Sequence, residues 1–433
     1  MINSIWQKET RQPPFCELKG DLKTDVLIIG AGIAGVLCAY FLEREGVDYA
    51  LVEAGEVCCG ITKNTTAKIT WQHSLIYGKL IRQFGTEKAH LYYKANEEAV
   101  ISYRKLCENI SCDFEEKDAF VYSLDRRDKL EEELSALDKI GAKADFRESI
   151  ELPFDIAGAI RFKNQAQFNP LKFISTICKS LKIYQNTKVL EYNGEFFKTN
   201  GGRIYAKKAI VATHFPIFNK HGSYFLKLYQ HRSYVIAYKN TERINGMYLD
   251  ENEKGFSFRE YNDMLIIGGG SHRTGKKGGN WKEISDFANK YYPTATEVCR
   301  WATQDCMTLD GVPYIGEYSN NTNDLYVATG FNKWGMTSSM VAARLLFDLV
   351  LERNNQYTEL FSPSRSILRP QLLINAFEST LNLITPTTPR CPHLGCALKW
   401  NKYERSWDCP CHGSRFSEKG QLIDNPATDD LKR

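Results

Sequence analysis

Two short runs near the C-terminal end, Cys391-Pro-His393 and Cys409-Pro-Cys411-His412, each offer one thiolate and one imidazole. Fifteen residues separate the runs. This four-atom set can do two kinds of chemistry. A [2Fe–2S] cluster would take Cys391 and Cys409 on one iron and His393 and His412 on the other. A structural zinc ion would take the same atoms tetrahedrally. The short Cys-x-His spacing favours the cluster, as do Gly395, Gly413 and Ser414, the last able to hydrogen-bond a cluster sulfur. A second run, Gly30-Ala-Gly32-Ile33-Ala34-Gly35, has the spacing of a dinucleotide loop. A one-electron centre and a dinucleotide site in one chain point to electron transfer coupled to oxidation or reduction of a substrate.

The glycine run works only between a strand and a helix. Asp25-Val-Leu-Ile-Ile-Gly30 reads as a buried parallel strand, 33–45 as a helix and 49–53 as the next strand. Gly30 permits the tight turn, Gly32 a close approach of the pyrophosphate and Gly35 close helix–strand packing. The helix N-terminus offers free N–H groups to phosphate, and Glu53 can accept from ribose hydroxyls. Helices are predicted over 86–110, 126–140, 171–180, 283–292 and 335–351, and strands over 207–213 and 325–329. Residues 224–270 alternate as a mixed or antiparallel sheet would. Residues 1–23 read as an irregular lead-in and 354–390, punctuated by prolines, as a linker.

The chain has 433 residues, 43% apolar and 25% charged, with a net charge of +4, enough for two or three domains. No cationic block argues for nucleic acid, and His272-Arg-Thr-Gly-Lys-Lys-Gly-Gly reads as a solvated loop. No stretch reads as a signal peptide or transmembrane span, so a cytoplasmic location is expected. Of 13 cysteines, nine are scattered over 16–306 and read as buried free thiols.

Cys391-Pro-His-Leu-Gly-Cys396 and Cys409-Pro-Cys-His-Gly-Ser414 closely resemble the two boxes of Rieske proteins. The resemblance implies metal ligands Cys391, His393, Cys409 and His412 and a Cys396–Cys411 disulfide. Phe416 stands where high-potential members carry a tyrosine, which implies a lower potential. Few residues precede the first box, so the module is abbreviated or borrows support from the rest of the chain.

The order of motifs resembles the FAD-dependent D-amino-acid oxidase and glycine oxidase superfamily, in particular a branch with a C-terminal Rieske module. The implied fold class is α/β: a Rossmann-like FAD-binding domain, an interleaved mixed or antiparallel-sheet substrate domain and a small β-type Rieske module. FAD-binding segments fall at about 24–85, 170–215 and 305–353, and the substrate domain at 86–169 and 216–304. An oxidoreductase over 1–353 and a linker over 354–390 lead to the Rieske module over 391–433.

The resemblance assigns FAD to Gly30, Gly32, Ile33, Ala34, Gly35, Glu53 and Ala54. It adds Thr65, Thr66, Ala67 and Lys68, which wrap the ring, Val189 at adenine, and Ala212 and Thr213. Gly311, Gly330, Trp334, Gly335, Met336 and Thr337 complete the set, the last helix aiming its N-terminus at the flavin pyrimidine. Arg259, His272 and Lys68 are the catalytic or substrate-binding candidates, and His214 and His231 could also face the flavin; no base is assigned.

The expected activity is oxidation of an amine or amino-acid C–N bond. Electrons would pass singly through the cluster to a one-electron carrier protein or quinone-like acceptor, leaving by a surface-facing histidine-ligated iron. Two other readings stay open: a reductase fed by a ferredoxin-like donor, and a cluster that is only a redox sensor or structural staple. A Rieske oxygenase is disfavoured, since no two-histidine, one-carboxylate iron site stands out.

Overall fold

The apolar run Leu22–Ile29 is buried at its C-terminal half, as a central parallel strand must be. In the computed structural model, which describes residues 3–218, 221–386 and 389–432, this strand pairs in parallel with Tyr49–Val52 and Arg203–Val211. The eight-stranded sheet runs Tyr314–Glu317, Leu325–Thr329, Arg203–Val211, Leu22–Ile29, Tyr49–Val52, Ile183–Tyr184, with the hairpin Val189–Tyr192 and Phe197–Thr199 at its side. Helices Ile33–Glu45 and Gly335–Val350 pack on each other beside it. The lead-in is not irregular throughout: Ile5–Glu9 is a helix, and its Trp6, fully buried, donates its indole N–H to the carbonyl of Thr65 at 2.7 Å.

The alternating segments form a nine-stranded mixed sheet: Thr296–Thr308, Leu228–Lys239, Met264–Arg273, Ser257–Tyr261, Met247–Asp250, Glu115–Ser123, Gly158–Gln167, Lys68–Ile69, with Asp145–Arg147 beside Gly158–Gln167. Only the Met247–Asp250/Glu115–Ser123 pairing is parallel among those resolved by register. The sequence reading gave no strand over Thr296–Thr308, and the boundary drawn at 305 cuts it. Helix Tyr77–Cys107, kinked at Gly85, and helix Arg127–Lys139 cover this part.

Residues 354–390, read as the linker, carry secondary structure of their own. They hold helices Thr358–Phe361 and Pro370–Ile384, while Thr387 and Thr388 lie outside the described residues. Arg365 anchors the segment by pairing with the buried Asp310 at 2.7 Å. Helix Pro370–Ile384 inverts the usual pattern: Asn375 and Asn382 are buried, whereas Leu373, Ile374, Phe377 and Ile384 are exposed. Its buried asparagines lie where the helix meets the docking arginine Arg273 and the C-terminal module. Asn375 Oδ1 accepts from Arg273 at 2.9 Å, and the Asn382 carbonyl accepts from the N–H of Ala397 at 2.9 Å.

The C-terminal sheet is a four-stranded antiparallel meander, Lys399–Asn401, Ser406–Asp408, Arg415–Ser417 and Leu422–Asp424. Its missing support comes from the main sheet. Arg232 and Glu404, each 7% exposed at the side chain, form an ion pair across the boundary, and Arg415 reaches Glu404 at 2.9 Å from within the module. Burial opposes ionisation of Glu404, but the Arg232 and Arg415 guanidiniums outweigh it and hold the carboxyl down at about 2. The loop read as solvated is a docking loop. Arg273 donates to the carbonyls of Pro410 and Cys411, both at 3.1 Å, and a side chain at Gly275 would meet Pro410 at 2.6 Å.

Candidate functional site

A cavity of about 620 Å³ lies between the two large sheets. At one end Gly30, Gly32, Ile33 and Ala34 open the helix Ile33–Glu45, and Glu53 and Ala54 end the neighbouring strand; all line the cavity. Glu53 accepts from the N–H of Ala31 at 2.8 Å and of Gly55 at 3.0 Å, which fixes it beside the loop. Burial nonetheless pushes its carboxyl up. Gly35 faces the strand instead: a side chain there would lie 1.9 Å from the Gly30 carbonyl. A side chain at Gly32 would meet only the Thr62 hydroxyl, at 3.5 Å. The protein's own packing therefore does not demand glycine at 32; an open cradle against the helix N-terminus does, as a pyrophosphate requires. Val189, Ala212 and Thr213 line the same end.

At the other end Thr65, Thr66 and Lys68 meet Gly330, Trp334, Gly335 and Met336 across the cavity. The turn before helix Gly335–Val350 is costly, with Asn332 at φ 51° and Lys333 at φ 73°. It is held by Asn332, which accepts from the N–H of Thr308 at 2.8 Å. Gly335 has nothing within 4 Å of a would-be side chain, so the N-terminus of this helix is bare toward the cavity. Four assigned residues do not line it. Gly35 and Ala67 are backbone supports, Gly311 faces Lys79, and the Thr337 hydroxyl meets His73 Nε2 at 3.0 Å.

Of the substrate candidates, Lys68 and His214 line the cavity, while Arg259, His272 and His231 do not. Arg259 is 1% exposed and off the cavity. Its guanidinium donates to the carbonyls of Thr66 and Ala67, both at 2.9 Å, so it holds the wrapping turn rather than a ligand. His272 also lies off the cavity, stacked on Tyr234 with centroids 5.8 Å apart. His231 Nδ1 meets Glu253 at 2.8 Å. Lys68 does line the cavity; burial, aided by the nearby Arg259 charge, pushes it down to about 7. His214 lines it too, and burial holds its imidazole down at about 4.

Sequence reasoning missed Asp305, Glu253, Ser271 and Lys333, which line the sheet side of the cavity. The alternation Thr303-x-Asp305-x-Met307 was the available signal for Asp305. It also missed His73, stacked on Trp334 at 4.7 Å and bonded to the Tyr92 hydroxyl at 2.6 Å.

The two C-terminal boxes adopt one conformation. The carbonyls of Cys391 and Cys409 each accept from the glycine four residues on, Gly395 and Gly413, both at 2.9 Å. Their N–H groups donate to the carbonyls of Cys396 and Ser414 at 2.9 and 2.8 Å. Both glycines take positive φ, which the turn requires. The Cys409 thiol donates to Cys391, and this, against burial and with help from the His393 N–H, the Ser414 hydroxyl and the Leu394 N–H, draws Cys391 below the ordinary thiol range. The His393 and His412 rings lie 4.9 Å apart, edge to face. Both His412 ring nitrogens are buried without a well-formed hydrogen bond. Two adjacent thiols, amide donors trained on them and two imidazoles close by suit a cluster with mixed ligands. Cys396 and Cys411 are paired as a disulfide, Cα–Cα 6.8 Å.

The resemblance implied a histidine edge facing the surface; His393 is partly exposed, whereas His412 is turned into the protein. His412 is 2% exposed and packs against Phe215 and Phe225, with centroids at 6.4 and 6.3 Å; His393 meets Phe215 at 6.2 Å. Gln230 donates to the His412 carbonyl and Gln304 to that of Gly413, each at 2.9 Å. Pro392, Leu394 and Gly395 are the exposed part of the first box. Asn425 closes the seam by donating to the carbonyls of Thr213 and Phe215, the latter at 3.1 Å.

Comparison with known proteins agrees with this geometry. Residues 25–349 match the family model described as FAD dependent oxidoreductase, and residues 377–433 match the Rieske [2Fe-2S] domain. The chain is 33% identical to the Rieske 2Fe-2S iron-sulfur protein YhfW of Bacillus subtilis (strain 168), over 99% of this chain and 97% of that one. Among solved structures, glycine oxidase from Geobacillus kaustophilus superposes with a TM-score of 0.68 at 19% identity, covering 80% of this chain and 100% of that one. L-proline dehydrogenase from P. horikoshii gives 0.66 at 18% identity, covering 80% and 98%. L-amino acid deaminase from Proteus vulgaris gives 0.66 at 15%, covering 82% and 100%. At these identities the structures are similar in fold. No helix among the described residues is long and apolar enough to cross a membrane.

Proposed function

This chain belongs to the FAD-dependent oxidoreductase family and ends in a Rieske [2Fe–2S] domain, and on that premise we propose that it oxidises the C–N bond of an amine or amino acid and releases the electrons singly through the cluster to an external acceptor. The observation that carries the reading is the packing of both histidine rings against Phe215. Thr213 and His214 line the cavity, and Phe215, next in sequence, touches both His393 and His412. When bound, FAD supplies a two-electron hydride acceptor and the cluster a one-electron carrier.

The protein's own part is positioning. In this reading Gly32 and the helix Ile33–Glu45 receive the pyrophosphate, and Glu53 the ribose. Arg259 and Trp6 fix the Thr65–Ala67 turn from behind, through its carbonyls. The bare N-terminus of helix Gly335–Val350 favours negative charge on the ring side of the cavity. Cys391, His393, Cys409 and His412 hold the cluster. The first box, exposed at Pro392, Leu394 and Gly395 and partly at His393, is where an acceptor, a carrier protein or a quinone-like molecule, can approach it. Known activities of the similar structures, acting on glycine, L-proline or L-amino acids by their names, support the substrate class.

The test is anaerobic. A panel of amines and amino acids is screened for bleaching of the flavin, then for turnover with a one-electron dye. His412→Leu should keep substrate bleaching and lose dye turnover. Dye turnover at the wild-type rate in a variant shown by EPR to lack the cluster would defeat the relay.

A further inference from the structure

We propose that Asp305 receives the ammonium group of the substrate, and that the substrate is a cationic amine without an α-carboxylate. The inference deepens the reading above, since it takes the sheet side of the cavity as the substrate side.

Register places the groups. Leu228–Lys239 pairs antiparallel with Thr296–Thr308, putting His231 opposite Asp305 and Ser233 opposite Thr303. Residues directly opposite share a face, and Ser233, Thr303 and Asp305 all line the cavity. The other face of the same strands carries Gln230, Arg232 and Gln304, which hold the Rieske module. Asp305 is thus fixed on the cavity side of a sheet clamped from behind.

Among the described residues, five other carboxylates line the cavity and each is already matched. Glu53 takes the N–H groups of Ala31 and Gly55. Asp250 takes the N–H of Asn252 at 2.9 Å. Glu251 pairs with Lys129 at 2.9 Å, Glu253 with His231 at 2.8 Å and Asp424 with Arg415 at 3.0 Å. Asp305 makes no hydrogen bond or ion pair of this kind. Burial pushes its carboxyl up to about 6, with Lys333 and then Arg232 pulling the other way. An ammonium placed against it would supply the missing donor and favour the carboxylate form.

A carboxylate on the substrate has no comparable receptor. No arginine lines the cavity among the described residues, and Arg259 is turned to backbone carbonyls. Lys333 is held by Ser271 and lies 3.7 Å from Glu253. Lys188 donates to the Thr428 carbonyl. Lys68 is on the strand after the wrapping turn, and at about 7 it is only partly charged near neutrality.

The experiment uses FAD-loaded full-length protein and two ligands that share a tert-butyl group and carry opposite charges, tert-butylammonium and pivalate. Neither has a hydrogen on the carbon bearing its charged group, so binding is read without turnover, by calorimetry and the flavin spectrum. Tert-butylammonium should bind and pivalate should not. Asp305→Asn should weaken the ammonium roughly 10- to 100-fold, the loss of one charge-assisted hydrogen bond, and Asp305→Glu should restore part of it. Flavin and iron contents equal to wild type verify the fold of each variant. Preferential binding of pivalate, or unchanged ammonium binding in Asp305→Asn, overturns the inference. Bleaching of the flavin by amino acids together with pivalate binding would do so while leaving the oxidoreductase reading intact. If neither ligand binds and no amine or amino acid bleaches the flavin, both fall.

Discussion

Replacing Arg232 by methionine removes one member of the ion pair that fixes the Rieske module to the substrate sheet. Arg232 meets Glu404 through two nitrogens, Nε at 2.9 Å, and both side chains are 7% exposed. Glu404 is held at about 2 instead of its ordinary 4.5. That difference corresponds to about 3 kcal/mol of stabilisation of the folded, docked state. Arg232 is the strongest of the charges that oppose burial, with Arg415 next. Leaving Glu404 with Arg415 alone should therefore cost on the order of 2–3 kcal/mol, within the range for a broken buried pair. The assay is urea titration, followed by visible circular dichroism for the cluster and by flavin fluorescence for the main domain. With a urea slope of about 1–3 kcal/mol/M, the cluster signal in Arg232→Met should be lost roughly 1–3 M earlier than in wild type. The flavin transition should move less. The double variant Arg232→Met/Glu404→Gln should recover part of the loss, because no unpaired charge stays buried. A cluster midpoint unchanged in the single variant would refute the claim that this pair holds the module.

Three further outcomes are expected. Because the folded-state pKa of Glu404 is depressed, its stabilisation is fully present above about 4.5 and is lost as pH falls toward about 2; a pH series of the same titration reads this, and Arg232→Met should flatten it. Gly35→Ala should destabilise the whole main domain, since the new side chain would lie 1.9 Å from the Gly30 carbonyl; Gly32→Ala has 3.5 Å to Thr62 and should leave the thermal stability of the apo-protein within about 1 kcal/mol while lowering FAD content. Cys391→Ser should abolish iron and sulfide incorporation with flavin retained, whereas Cys396→Ser should keep the cluster but shorten its lifetime, measured by the decay of the visible spectrum.

Much of the fold is legible because its signals are local. The helix read over 33–45 and the strand over 325–329 match the elements found, since each is written in consecutive residues and bounded by its own turns. The helix Pro370–Ile384 was hidden because its apolar residues point outward and its asparagines inward, against the rule that periodicity relies on. Arg259 was misread for a related reason. A strand arginine can serve a ligand or brace a neighbouring turn, and the choice depends on the Thr66 and Ala67 carbonyls nearly two hundred positions away.

The amino-acid sequence alone settled which atoms are available: two thiols and two imidazoles in matched glycine turns, and a glycine loop between strand and helix. These depend on backbone geometry over a few residues, which residue type and spacing dictate. Only the tertiary structure decided the directions. It buried His412 against Phe215, made 272–279 a docking loop, and set Asp305 opposite His231 on the cavity face. Those facts follow from strand register and from packing between distant segments. A shift of one residue in register would have moved Asp305 to the face that carries the Rieske module.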